Sequence, residues 1–375
     1  MKKIVIIGGG FAGLSALSVF SRSRRGDFGV TLIDENAEAS FLPLIPDCIG
    51  RDIKPKHLLV DLSRLSARKH FNFIKDRIAG VDLEKREVVT SKTTLNYDFL
   101  IISSGCETNF YDNNEIRRHS FKIDNAQDAS LIRKALDKED YGHFLIAGAG
   151  YTGIEVAANL RVYLEKRNRD RKIIIVERSA SILGPLSRRI KDYVTDNLQR
   201  LDIEVLLGSG IEKIDGNSVT LTGGRSFDNY MLIWAAGVRA GDFIRNLNIE
   251  KNPQGRIKVD QYLRVNDTCF AAGDAAYFSC GNDSLRMAVQ FAIAQGHCCA
   301  NNIIKYAKDK SLVKFKPRDL GLIIPMANNR AVGTVLGVEM KGFLPVFLHY
   351  IMCIYRSYGL RNKFGIINDL MGPRA

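Results

Sequence analysis

Lys3-Ile4-Val5-Ile6-Ile7, followed by Gly8-Gly9-Gly10-Phe11-Ala12-Gly13 and Leu14-Ser15-Ala16-Leu17, is the stretch that decides the fold. The first segment reads as a short strand buried on both faces, and the last as the start of an apolar helix. Between them lies G-x-G-x-x-G, with Phe11 and Ala12 filling the paired x positions. Gly8 permits the tight turn, Gly10 lets the backbone approach a pyrophosphate, and Gly13 lets helix pack on strand. The helix N-terminus then offers phosphate its free N–H groups and the positive end of its dipole. A second strand, Gly29 to Ile33, ends in Asp34, an acid placed to accept hydrogen bonds from ribose hydroxyls.

The pattern recurs. His143 to Ala147 reads as a strand, and Gly148-Ala149-Gly150-Tyr151-Thr152-Gly153 leads into a helix from Ile154. The next strand, Lys172 to Val176, ends in Glu177. Each copy closes with a related strand, Tyr97 to Gly105 (YDFLIISSG) and Asn229 to Gly237 (NYMLIWAAG). Two complete dinucleotide sites in one chain are far more specific than one. The implied fold class is α/β, with two Rossmann-like dinucleotide-binding domains. Farther on, Cys269 to Ala275 (CFAAGDA) reads as a strand ending in Gly273-Asp274, with a helix from about Arg286. Taken alone, Asp274 reads equally as a turn or cap residue.

Composition agrees with a globular chain. Its 375 residues are enough for two α/β domains and an appendage, and no low-complexity tract interrupts them. A net charge of +13 favours a polyanionic partner. The densest basic run, Arg161 to Lys172, alternates in sign and reads as a solvated helix end. No helix-turn-helix, zinc-finger or aromatic-interleaved basic motif occurs, so nucleic acid is not expected. The seven cysteines (48, 106, 269, 280, 298, 299 and 353) form no C-x-x-C pair. That spacing argues for no bound metal and for a reducing compartment. Met1-Lys2-Lys3 runs straight into the first strand, leaving no room for a signal peptide.

The order of these motifs resembles that of the two-dinucleotide flavoproteins, the pyridine nucleotide-disulfide oxidoreductase superfamily. The resemblance rests on Gly8–Gly13, Gly148–Gly153, Trp234-Ala235-Ala236-Gly237 and Ala272-Gly273-Asp274, and covers about residues 1–310. It implies a glutathione-reductase-like fold in which the first site holds FAD and the second NAD(P)H. Asp274 then matches the residue that binds the ribityl and pyrophosphate region. The expected domains are 1–115 with 235–320 for FAD, 116–234 for NAD(P)H, and a C-terminal membrane or acceptor-side segment, 321–375. Gly105, Gly237 and Gly273 join the cofactor-binding candidates.

Within that superfamily, disulfide reductases carry a redox cysteine pair where this chain has only Cys48. Phe41-Leu42-Pro43-Leu44-Ile45-Pro46 instead resembles the stretch beside the flavin in type II NADH dehydrogenases and sulfide:quinone oxidoreductases, which makes Pro43 a flavin-side candidate. The same residues also read as an ordinary Pro-rich turn. Glu155 completes the form G-x-G-x-x-G-x-E, and in type II enzymes it lies near where nicotinamide meets flavin. There a carboxylate would orient the carboxamide or relay a proton. The plainer alternative is a charge–dipole partner in the first helical turn. Glu177 favours NADH over NADPH, while Arg178 offers a partner for a 2′-phosphate.

Arg286 to Asn302 has helical periodicity interrupted by Gln290, Gln295 and His297. Type II enzymes carry A-Q-x-A-x-Q here, along the quinone tunnel. This chain departs from it, with Val289 before Gln290 and the two Gln five apart. Both are candidates for catalytic contacts, the alternative being solvent-facing or capped glutamines on a core helix. Gly342 to Tyr355 (GFLPVFLHYIMCIY) is apolar except for His349, and Arg356, Arg361 and Lys363 follow. Phe343, Phe347, Tyr350, Ile351, Ile354 and Tyr358 fall on one helical face. Such a stretch is shorter than the roughly 20 residues that span a bilayer and suits an amphipathic helix in the membrane interface. A core or dimer-interface helix would read the same way, which keeps a homodimer open.

The resemblance therefore implies a monotopic, non-proton-pumping NADH:quinone oxidoreductase on the cytoplasmic face of the membrane. Hydride would pass from NADH to flavin N5, and electrons then to a quinone. Three alternatives stand beside it. They are a sulfide:quinone oxidoreductase drawing on Cys269, Cys280 and Cys353, a soluble reductase of a small iron–sulfur carrier, and a regulatory flavoprotein of the apoptosis-inducing-factor type.

Overall fold

The computed structural model describes residues 1–23, 26–281 and 283–372. The chain divides into two units, one made of Met1–Ala39, Val60–Glu107 and Val238–Asp319, the other of Ser40–Leu59, Thr108–Gly237 and Leu320–Ala375.

The first unit is built on a five-stranded parallel sheet ordered Cys269–Ala271, Phe99–Ile102, Lys2–Ile7, Phe28–Asp34, Asn72–Lys75. The opening strand lies in the middle, paired in register Ile4↔Val30 on one side and Ile4↔Phe99 on the other. Its unbroken apolar run follows from that position, because both faces of a central parallel strand are covered. Ile4 and Ile6 are fully buried.

The second unit repeats the plan with four parallel strands, Ile203–Leu207, Lys172–Glu177, His143–Ala147 and Tyr230–Trp234. The duplication extends beyond the strands and turns read from the sequence. Before its closing strand, each unit inserts a three-stranded antiparallel meander, Ile78–Asp82 to Asn96 in one and Ile211–Asp215 to Asp228 in the other. Each meander carries a register shift near its start, at Ile78/Gly80 and at Ile211/Lys213.

Residues 321–342 form an antiparallel sheet, Gly321–Pro325, Ala331–Val335 and Val338–Gly342. Ile324, Met326 and Val332 join the hydrophobic core of the second unit's parallel sheet. Two helices follow, Phe343–Arg356 and Leu360–Met371. The face read from the sequence is only partly the outward one. Tyr350 is turned inward and buried, and Tyr358 lies beyond the helix end. The exposed row is Phe343, Leu344, Phe347, Ile351 and Tyr355. The reason is local: the Tyr350 hydroxyl has a buried carboxylate to bond, which outweighs the periodicity of its neighbours.

Candidate functional site

In the first unit the Gly-rich turn has the geometry its sequence requires. Gly8 is left-handed at φ +95°, and a Cβ on Gly13 would stand 1.9 Å from the Gly8 carbonyl oxygen. Gly10 is the extended cap of the helix Phe11–Phe20, with no side-chain cap and no atom within 4 Å of its Cβ position. The helix therefore starts without a side-chain cap and with open space beside Gly10, which is what a pyrophosphate needs. Phe11 is half-buried and Ala12 buried at this first turn. Asp34 holds the turn from the next strand, its Oδ2 accepting from Gly9 N at 2.7 Å. A cleft of about 440 Å³ opens here, lined by Gly8, Asp34, Asn36, Gly105 and Cys106 among others.

The Gly273-Asp274 turn is clamped to the same place. A Cβ on Gly296 would lie 2.0 Å from the Ala12 carbonyl oxygen, so the helix Val289–Tyr306 crosses the first helix in backbone contact. Gln295, buried on that helix, accepts from Gly273 N at 2.8 Å through Oε1. Asp274 lies beside Arg256, whose Nε donates to the Asp274 carbonyl at 2.9 Å. Burial raises the Asp274 carboxyl above its ordinary range, and the Arg256 charge opposes the rise. Gln295 thus braces the turn. Gln290 donates instead to Asp319 at 3.0 Å, and His297 is exposed beside Asn301. The helix begins at Val289 rather than near Arg286, because Arg286 is drawn into a pair with Asp319 and Ala288 is extended.

The second unit reproduces the cradle. Gly148 is left-handed at φ +101°, a Cβ on Gly153 would stand 1.9 Å from the Gly148 carbonyl oxygen, and the Gly150 position is open. Glu177 replaces Asp34, with Oε2 accepting from Ala149 N and Oε1 from Ser179 N, both at 2.8 Å. Burial would raise this carboxyl, but those amides outweigh it and hold it below its ordinary range. A second cleft of about 440 Å³ is lined by Gly148, Gly150, Glu177, Arg178, Tyr111 and Gly237. Acid and arginine therefore share one cleft. Gly237 is left-handed at φ +116°, with the Tyr111 hydroxyl against it and bonded to the Ala236 carbonyl at 2.9 Å.

Glu155 stands in the second turn of the helix Tyr151–Glu165, not the first, because the helix begins at Tyr151 rather than at Ile154. Among the described residues no donor or cation reaches its carboxyl. Burial, and then the charge of Asp47, push it well above the usual carboxylate range. Pro43 lies in the single turn Leu42–Leu44, half-buried, just before the short helix Asp47–Gly50. Sequence reasoning missed Asp47 and its partners. Asp47 is buried, accepts from Tyr350 Oη at 2.7 Å and has Arg51 Nε at 3.7 Å. Burial raises it to about 6 in spite of Arg51 and Tyr350. The signal was faint, an acid directly after the Phe41–Pro46 segment, with its tyrosine 303 residues away.

Comparison with known proteins agrees with this duplicated architecture. A type II NADH:quinone oxidoreductase of Staphylococcus aureus is 24% identical over 384 residues, which cover 94% of each chain. The structure of NDH2 from Plasmodium falciparum in complex with NADH superposes with a TM-score of 0.85 at 19% identity, covering 98% of this chain and 97% of that one. The sulfide:quinone oxidoreductase of Aquifex aeolicus gives a TM-score of 0.79 at 16% identity, covering 98% and 93%. Residues 2–296 match the pyridine nucleotide-disulphide oxidoreductase model, and the chain belongs to that family.

Proposed function

We propose that the chain is an FAD-dependent NADH:quinone oxidoreductase of the type II kind. The observation that carries the reading is the duplicated open cradle, Gly8–Gly13 with Asp34 and Gly148–Gly153 with Glu177, in a chain that matches a named type II NADH:quinone oxidoreductase almost end to end. The first cradle suits FAD. The uncapped helix N-terminus at Gly10 meets the pyrophosphate, Asp34 the ribose, and Gly273 with Asp274 the region beyond. The second suits NADH, with Glu177 meeting the adenosine ribose diol and repelling a 2′-phosphate. When bound, FAD supplies the two-electron acceptor between nicotinamide and quinone.

The protein's own part is orientation and proton supply. Glu155 is the acid, kept protonated by burial. Gln295 fixes the Gly273 turn, and Gln290 is assigned to the acceptor side. A sulfide-oxidising role would need a bonded or bondable cysteine pair. Cys269 and Cys353 are buried and Cys280 exposed, and all seven cysteines are free. The C-terminal helices suit a membrane surface on its cytoplasmic side. No described helix is long and apolar enough to cross a membrane. The exposed Phe343, Phe347, Tyr355, Leu360 and Phe364 have Arg356, Arg361 and Lys363 beside them.

The test is NADH oxidation by the FAD-loaded protein with a soluble quinone, repeated with NADPH and with anionic liposomes. The expected result is rapid quinone reduction with NADH, weaker with NADPH and enhanced by liposomes. Flavin reduction by NADH with no transfer to any quinone would overturn the reading and point to a protein acceptor.

A further inference from the structure

Arg178 follows directly on Glu177 and is exposed. Among the described residues its guanidinium has no ion pair and no hydrogen bond. What it meets is the Tyr111 ring, with 5.9 Å from Cζ to the ring centroid. That is the outer limit of a cation–π contact, so the arginine is only loosely held. The ring, by contrast, is fixed from several sides. Tyr111 Oη donates to the Ala236 carbonyl and Tyr111 N to Asn109 Oδ1, both at 2.9 Å. Trp234 meets the ring edge-on, centroids 6.5 Å apart, while its own Nε1 donates to the Asn109 carbonyl at 2.9 Å. Tyr111 and Asp112 are left-handed at φ 52° and 58°, which residues other than glycine keep only where their surroundings impose it. Each of the two side chains also lies against a glycine. A Cβ on Gly210 would stand 2.9 Å from Arg178 Nε, and one on Gly237 would stand 2.7 Å from Tyr111 Oη. Both line the second cleft, together with the buried Val176, Ile211 and Trp234.

We propose that Tyr111 and Arg178 are the two jaws of an adenine site, the base of the dinucleotide stacking between the phenol ring and the guanidinium. The inference rests on the reading of this cleft as the NADH site. In that reading Glu177 meets the adenosine ribose, and Arg178 is its neighbour in the chain, so the base carried on that ribose comes within reach of both jaws. A purine is flat, with apolar, π-rich faces, and gains from an aromatic ring on one side and a cation on the other. Contact on both faces needs about 7 Å between the jaws, twice the roughly 3.5 Å of a single contact. The 5.9 Å of the present pair falls short of that gap by about 1 Å. The jaw that gives way is Arg178, exposed and without another partner, while Tyr111 keeps its place on Ala236. Such a site reads the base and not the 2′-position, so selection between NADH and NADPH stays with Glu177.

The experiment is calorimetric titration of the FAD-loaded protein with ADP-ribose, which carries the adenine half of NADH and no reducible ring. Emission of Trp234, the single tryptophan of the chain, is followed alongside. Binding is expected, with a change in that emission. Tyr111→Ala should weaken it by about five- to a hundredfold, the worth of one stacked base. Tyr111→Phe, which keeps the ring and loses the bond to Ala236, should restore most of the affinity. Arg178→Ala, at an exposed side chain, should cost about two- to fivefold and gives a reading even if Tyr111→Ala misfolds. Equal losses in Tyr111→Phe and Tyr111→Ala would reduce Tyr111 to a brace for the turn and overturn the proposal. Full affinity in both alanine variants, or binding that leaves Trp234 emission unmoved, overturns it too. A wild type that does not bind ADP-ribose would sink the reading of the cleft as well. Quinone reduction is scored separately, and its failure alongside the expected titrations would sink the quinone reading and leave the adenine site.

Discussion

Glu177 accepts with both carboxylate oxygens, from Ala149 N of the Gly-rich turn and from Ser179 N of its own, yet it lines the second cleft with Arg178 beside it. Glu177→Gln removes the charge and keeps the shape. The preference for NADH over NADPH should fall by about tenfold, the equivalent of one charged hydrogen bond, measured as the ratio of kcat/KM values. An unchanged ratio would mean that Glu177 only holds the turn. Asp47 makes a prediction of the opposite electrostatic kind. Its folded pKa, about 6, lies above the ordinary 3.8, so folding favours its protonated form. The associated stability is full below pH 4 and is lost as pH rises through 6, an effect on the order of 3 kcal/mol. Denaturation of wild type and Asp47→Asn across this range should show the difference only in the wild type. Glu155 was singled out in the sequence because it stands two residues after Gly153, completing a motif whose glycines are themselves plain to read. Asp47 was not, since its burial depends on Tyr350, which local periodicity assigned to the outer face.

At the scale of elements, the two Gly-rich turns were legible because sterics leave no substitute. Their backbones agree to a few degrees, with Gly10 at φ −74° and Gly150 at φ −78°. The meanders and the sheet of residues 321–342 went unread for the converse reason. Their strands are three to five residues long with mixed burial, and what defines them is pairing and shared core rather than local pattern. The contact between the helices Asp47–Gly50 and Tyr151–Glu165, where a Cβ on Gly50 would stand 2.1 Å from the Asn159 carbonyl oxygen, is of the same kind. Its test is Gly50→Ala, whose Cβ meets backbone and not a movable side chain. Forcing the helices apart should cost about 1–3 kcal/mol, seen as a lowered Tm. Both Gly-rich turns lie outside the contact, so FAD retention and NADH affinity should hold. Loss of NADH affinity with an unchanged Tm would contradict this division of labour.

For the whole molecule, the 54 Lys and Arg against 41 Asp and Glu gave no binding stripe in the sequence and left the partner open. The structure adds an apolar complement, with Phe343 67% and Phe347 54% exposed on a 14-residue helix. A basic chain with such a helix should bind anionic vesicles by two separable means. Raising salt weakens the electrostatic part, which decays over about 10 Å at 0.1 M. The apolar part resists salt and depends on the rings. Burying each phenylalanine is worth about 1.5–3 kcal/mol, so Phe343→Ser with Phe347→Ser should lower vesicle affinity by roughly a hundredfold or more at high salt. Reduction of a soluble quinone by NADH should be unaffected, since neither ring contributes to a nucleotide cradle. Co-sedimentation across a salt series decides the matter. Affinity that survives the double substitution but collapses with salt would assign membrane association to charge alone and leave these rings for a protein contact.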